Sequence, residues 1–275
     1  MKNGERLARS GRICTALACI GLLSGPVLSE VTHGMPKFSF RVGEKLIYQI
    51  SQHSLAHAGP SAGAGADLEG EAVLTVREVR SDGTFEIDLT ASGKGRIMTG
   101  KEVTELESEP PARIMLVVSP NGSIIELQDL AGKPTTLLAV MRTVEAFLNA
   151  PNAVLTMVAS THTLFGVQVP KDLPPPGGKW SGYYKQEYIQ SPDLSRVRLK
   201  DVAVNFTFLG RQEYKGRGCL AFSTNARFMG IPEGLPTTFY FDDAKGQLVG
   251  TKLHVAKFGA QRVDVDWSTA LKRVE

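Results

Sequence analysis

Apolar and polar residues alternate with a period of two over much of the chain. In Phe85-Glu86-Ile87-Asp88-Leu89 the apolar side chains point one way and the acids the other. The same alternation recurs at 202–208 (VAVNFTF) and at 263–267 (VDVDW). A period of two with one polar side predicts antiparallel strands, packed on one face and wet on the other. The punctuation agrees: Ser81-Asp82-Gly83, Pro120-Asn121-Gly122 and Asp242-Asp243-Ala244-Lys245-Gly246 each place a glycine where a hairpin needs positive φ.

The second half of the chain rewrites the first. Residues 42–48 read VGEKLIY and residues 176–183 read PGGKWSGY. Each opening precedes an alternating run that contains a turn, at 73–89 and at 202–222. Each half then closes on strand, tight turn and strand, at 114–127 and 238–253. Matching points lie roughly 125 to 135 residues apart, which predicts two copies of one antiparallel unit. The fold class expected is mainly β, a two-copy antiparallel curved sheet or half-barrel, with one or two helices inserted between the copies. Copy one covers about residues 38–130, the insert 133–178 and copy two 178–267, all in one domain, 30–275.

Two stretches depart from the strand pattern. Residues 55–70 (LAHAGPSAGAGADLEG) are rich in Ala and Gly and read as a flexible loop. In the insert, Leu137, Leu138, Met141, Val144, Phe147 and Leu148 recur at three and four residues, which predicts an amphipathic helix stopped by Pro151. Residues 152–160 are a second, shorter candidate. The proline-rich stretch 170–179 reads as a stiff linker into copy two.

Residues 1–29 have the form of a secretory signal. Lys2, Arg6, Arg9 and Arg12 precede a short apolar run at 13–23, and small residues end at Ser29, which predicts cleavage before Glu30. The apolar run is shorter than the roughly 20 residues a membrane-spanning helix needs. Residues 1–29 hold four of the 31 Lys+Arg and one of the 28 Asp+Glu, so the rest of the chain is neutral with 27 of each. A neutral domain has no electrostatic footprint for nucleic acid or an anionic bilayer, so membrane contact is expected to be transient at most. Cys14 and Cys19 lie in the signal; Cys219 then reads as a small buried hydrophobe.

The sequence shows no catalytic pattern. HExxH and paired CxxC are missing, and Gly63-Ala64-Gly65 lacks the third glycine of a dinucleotide loop. His53 and His57 are four apart but fall where the strand pattern gives way to the Ala/Gly stretch, so they read as exposed loop histidines. Asp264 with Asp266, and Glu86 with Asp88, are the wet sides of strands. No metal or cofactor is expected.

Gly43-Glu44-Lys45-Leu46-Ile47-Tyr48, Gly178-Lys179-Trp180, Glu213-Tyr214-Lys215-Gly216-Arg217 and Tyr240-Phe241-Asp242 through Gly246-Gln247-Leu248 resemble text in uncharacterised secreted bacterial β-proteins. The resemblance spans most of 38–258 and departs at Gly178, where such proteins usually carry Asp. It implies a structure similar to the half-barrels of periplasmic lipoprotein carriers, in which a curved sheet encloses a helix and an apolar cavity. The expectation is an exported, periplasmic or extracellular, non-catalytic envelope protein that binds a lipid or other hydrophobic ligand. The alternative is an assembly protein that holds an envelope protein partner through sheet edges and loops. Candidate cavity lining is Leu46, Tyr48, Phe85, Ile87, Leu89, Met141, Val204, Phe206, Phe208, Phe239 and Phe241, the inward positions of the clearest strands and of the helix.

Overall fold

Long alternating runs bounded by turn glycines become strands wherever a neighbour can pair with them. The computed structural model describes residues 36–59, 62–106, 111–129, 131–135, 161, 164–189, 197–226, 235–258 and 262–275. The signal with Ser29 and Glu30, and the expected helix with Met141, lie outside the described residues.

The strands are β1 (Lys45–Ala56), β2 (Gly65–Val79), β3 (Phe85–Thr99), β4 (Glu102–Leu106), β5 (Ala112–Val118), β6 (Ile124–Gln128), β7 (Lys179–Ile189), β8 (Val197–Tyr214), β9 (Arg217–Ala226), β10 (Leu235–Asp242), β11 (Gln247–Phe258) and β12 (Val263–Val274). They form one antiparallel 12-stranded sheet in the order β6-β5-β3-β2-β1-β12-β11-β10-β9-β8-β7, with β4 also on β3. Two meanders, β1–β6 and β7–β12, are therefore joined at a seam where the first strand pairs with the last. Leu46 stands opposite Val274 there, and the backbones of Lys45 and Glu275 exchange hydrogen bonds at 2.9 Å. The sheet remains open between its end strands, β6 and β7.

One expectation needs correcting. Half of the Ala/Gly stretch 55–70 is strand: β1 runs to Ala56 and β2 starts at Gly65. Glycine and alanine have low strand propensity, but these strands are central, with ladder partners on both sides, and the pairing overrides composition. His53 accordingly lies within β1 rather than in a loop.

The apolar sides of the strands meet in one core. Leu46, Tyr48, Leu74, Ile87, Leu89, Ile114, Leu116, Phe239 and Phe241 are at most 2 % exposed. Two segments outside the sheet close this end. In 36–40 alternate residues turn inward, burying Phe38 and Phe40. Phe38 N donates to Pro120 O and Ser39 N to Gly246 O, each at 2.8 Å, so this strap ties the β5–β6 hairpin to the β10–β11 hairpin. Phe38 packs edge-on against Phe241 at 5.1 Å, and Phe40 against Phe85 at 4.9 Å. The second segment begins with a bond from Phe165 N to Thr161 O, i to i−4, and then buries Leu164, Phe165, Val167 and Val169.

The Gln168 side chain occupies part of the open edge. Its Oε1 accepts from Tyr183 N at 3.0 Å and its Nε2 donates to Tyr183 O, so one amide copies a strand partner on β7. At the β8–β9 hairpin, a register shift at Gly210 (φ 92°) accompanies a fold-over onto the outer face. There the Tyr214 hydroxyl donates to Thr269 O at 2.9 Å and its ring stacks on Tyr240 at 4.1 Å.

Candidate functional site

Alternation carries the inner face of the core strands beyond the packed end. On β3, β2, β1, β12 and β11, the pairings align the inward residues in transverse rows. Nearest the core is Gly93, Gly70, Ile50, Thr269 and Thr251. Next comes Gly95, Leu68, Gln52, Trp267 and Leu253, and then Ile97, Ala66, Ser54, Val265 and Val255. None of these residues carries a charge. Burial relaxes along the rows: Gln52, Ser54, Ala66, Leu68, Val265 and Trp267 are half-buried, unlike the sealed side chains beside the strap. Leu68 lies over Gly95, where an added Cβ would stand 2.7 Å from Leu68 Cδ2 and 2.4 Å from Asp67 O. Glycine there lets the two strands and the Leu68 side chain come close.

The outer face of the same strands is charged. Arg96 Nε donates to Asp67 Oδ2 at 2.6 Å, and Asp67 also pairs with His53. His53 stands opposite Asp266, which pairs with His254 Nδ1 at 2.6 Å. The result is a ladder of alternating basic and acidic groups across β3, β2, β1, β12 and β11. Just past β1, His57 Nε2 lies 2.8 Å from Asp264 Oδ2. His53 and His57, expected as exposed loop residues, are thus paired with carboxylates, because the strands extend far enough to bring Asp67 and Asp264 alongside. Hydrogen bonds from His53, and then from Arg96, hold the Asp67 carboxyl below the usual range. Among the described residues no group of three or more His, Cys, Asp or Glu side chains is placed to hold a metal ion.

Leu46, Tyr48, Phe85, Ile87, Leu89, Val204, Phe206, Phe208, Phe239 and Phe241 all belong to the packed core cluster. Phe206 stacks on Trp180 at 5.3 Å, and the Tyr48 hydroxyl donates to Leu248 O at 2.8 Å. Burial pushes the Tyr48 hydroxyl far above its ordinary pKa, so it stays protonated as a core hydrogen-bond donor. Phe38, Phe40, Phe165, Val167 and Val169 join them in the core without having been singled out in the sequence. Trp267, Leu68 and Gln52 were likewise missed. A signal for Trp267 was present, since it ends the alternating run VDVDW on the side of Val263 and Val265.

No family model matches the chain, and no curated protein matches it either. Among solved structures, lipovitellin is similar at 9 % identity and a TM-score of 0.37; the match covers 86 % of this chain and 26 % of that one, so this chain spans only about a quarter of lipovitellin. An exported protein from Bacteroides fragilis with a YmcC-like fold is similar at 8 % identity, TM-score 0.30, over 87 % of this chain and 98 % of its own. A β-barrel-like protein from Brucella abortus is similar at 12 % identity, TM-score 0.22, over 86 % of this chain and 99 % of its own. Likeness at this level carries no argument about this chain.

Proposed function

We propose that the protein is an exported, non-catalytic component of the cell envelope that binds a hydrophobic ligand, a lipid or the lipid of a lipoprotein, on the inner face of its curved sheet. One observation carries this reading. On five adjacent strands the charged side chains stand outside, while the inner rows are uncharged and only half-buried beyond the core. Burying a charge without a partner is expensive, so a face meant for water would not need this separation, whereas a hydrocarbon ligand does. The signal-like residues 1–29 support delivery to the envelope.

The assembly alternative needs free sheet edges. Gln168 already occupies the β7 edge at Tyr183, which weighs against that reading. Native mass spectrometry of the mature protein, purified from its expression host without detergent, tests the proposal. A discrete adduct that organic extraction identifies as lipid is the expected result. A clean protein mass together with a stoichiometric co-purifying polypeptide would replace the carrier reading with the assembly one.

A further inference from the structure

The two tryptophans differ in what their ring nitrogens do. Trp180 Nε1 donates to Gln168 O at 2.8 Å. Trp267 Nε1 is buried and has no hydrogen-bond acceptor. Of the buried side-chain polar atoms left without a partner among the described residues, the others belong to Arg217 and Gln247 on the outer side, so Trp267 Nε1 is the one on the inner face. Buried indole N–H groups ordinarily find a partner. Gln52 stands directly opposite Trp267 across the seam, in the middle row of the uncharged wall.

We infer that Trp267 Nε1–H and the Gln52 amide form the polar station of an acyl-lipid site, donating to the carbonyl oxygen of an uncharged ester or amide linkage. The hydrocarbon would lie along the half-buried inner positions beside this pair, Leu68 in the same row and Ala66, Ser54 and Val265 in the next. The linkage is uncharged because the inner rows of these strands offer no cation, and a buried carboxylate without one is strongly disfavoured. A donor-only indole N–H requires an acceptor, which a bare alkyl or ether chain supplies poorly. This inference rests on the carrier reading above and adds the chemistry of the group the site recognises.

The test compares three probes on the full mature chain by equilibrium dialysis below their aggregation concentrations. They are monopalmitoylglycerol, its ether analogue 1-O-hexadecylglycerol, which keeps the chain and headgroup but lacks the carbonyl, and palmitate at pH 8. The ester should bind about 3- to 10-fold more tightly than the ether, the size of one ordinary hydrogen bond. Trp267→Phe should bring that ratio to about one while leaving ether binding unchanged. Gln52→Leu should lower it as well, and serves if Trp267→Phe does not fold. Equal binding of ester and ether by the wild type, a ratio unchanged in both variants, or tightest binding of palmitate would overturn the station and leave the carrier reading standing. Failure of all three probes to bind the wild type would overturn both.

Discussion

Cys219, on β9 opposite Gln212, is fully buried, with its Sγ 3.5 Å from Arg217 O. Burial pushes the thiol up to about 11, so almost none is thiolate at pH 8. A chain lacking residues 1–29, and so Cys14 and Cys19, should therefore be inert to a thiol-disulfide reagent at pH 8 when folded and react with one equivalent once unfolded in guanidinium; rapid native labelling would contradict the packing described. Reading Cys219 as a small hydrophobe was possible from its apolar neighbours alone. Asp67 was not legible in that way. Its low pKa arises from His53 on β1 and Arg96 on β3, and no spacing along the chain announces that the three share a row. A carboxyl whose folded pKa is depressed adds stability that is fully present above its unfolded value, near 3.8. That stability fades as pH falls through the lower, folded value. The stability gap between wild type and Asp67→Asn in urea should accordingly shrink as the pH is lowered from 5 towards 3. A gap independent of pH across that range would remove Asp67 from the ladder.

Hairpins are the elements the sequence specifies best, because glycine at positive φ is a local requirement. Gly122 and Gly246 sit at φ 93° and 63° in the turns expected for them. Their second duty was invisible. Each is also where another segment lands: a Cβ on Gly122 would lie 2.5 Å from the Phe38 ring and from Val167 O, and one on Gly246 would lie 2.6 Å from Ser39 Cβ. The five-residue strap has no turn and no strand partner, so nothing in its own text marks it as structure. Gly100 offers a matched control, at φ 65° with nothing within 4 Å of an added Cβ. Gly100→Ala should cost about 1–2 kcal/mol, the penalty for a left-handed L-residue. Gly246→Ala should cost at least twice as much, because it displaces the strap as well. Equal losses in denaturant unfolding would mean the strap contributes nothing at this turn. The Ala/Gly stretch 55–70 was misread for the opposite reason: local composition is a poor guide where long-range pairing supplies the stability.

At the scale of the molecule, alternation announced a two-faced sheet, and that much could be read from residues 85–89 and 263–267. It could not show that the charged faces of β3, β2, β1, β12 and β11 line up, since the register between β1 and β12 joins residues more than 200 positions apart. That seam has a kinetic side. Every other neighbour pair on the path through the sheet is close in the chain, consecutive strands in each case except β3 and β5, which only the short β4 separates, whereas β1 must wait for β12. Closing so long a loop precedes any reward from the contacts it makes, and folding slows as contacts become more distant in sequence. A circular permutant removes the delay. If Glu275 is linked to Pro36 by a flexible spacer and new ends are opened within 136–160, outside the described residues, the strands run in chain order from β7 through β12 and β1 to β6. The ladder, the strap and the inner rows would all be retained, but the longest-range pairing would become a near neighbour. The permutant should match the parent in equilibrium stability to within about 1 kcal/mol and refold faster in stopped-flow experiments. Refolding at the parental rate would place the slow step elsewhere and show that the chain finds its first strand's partner as readily across its whole length as across a single turn.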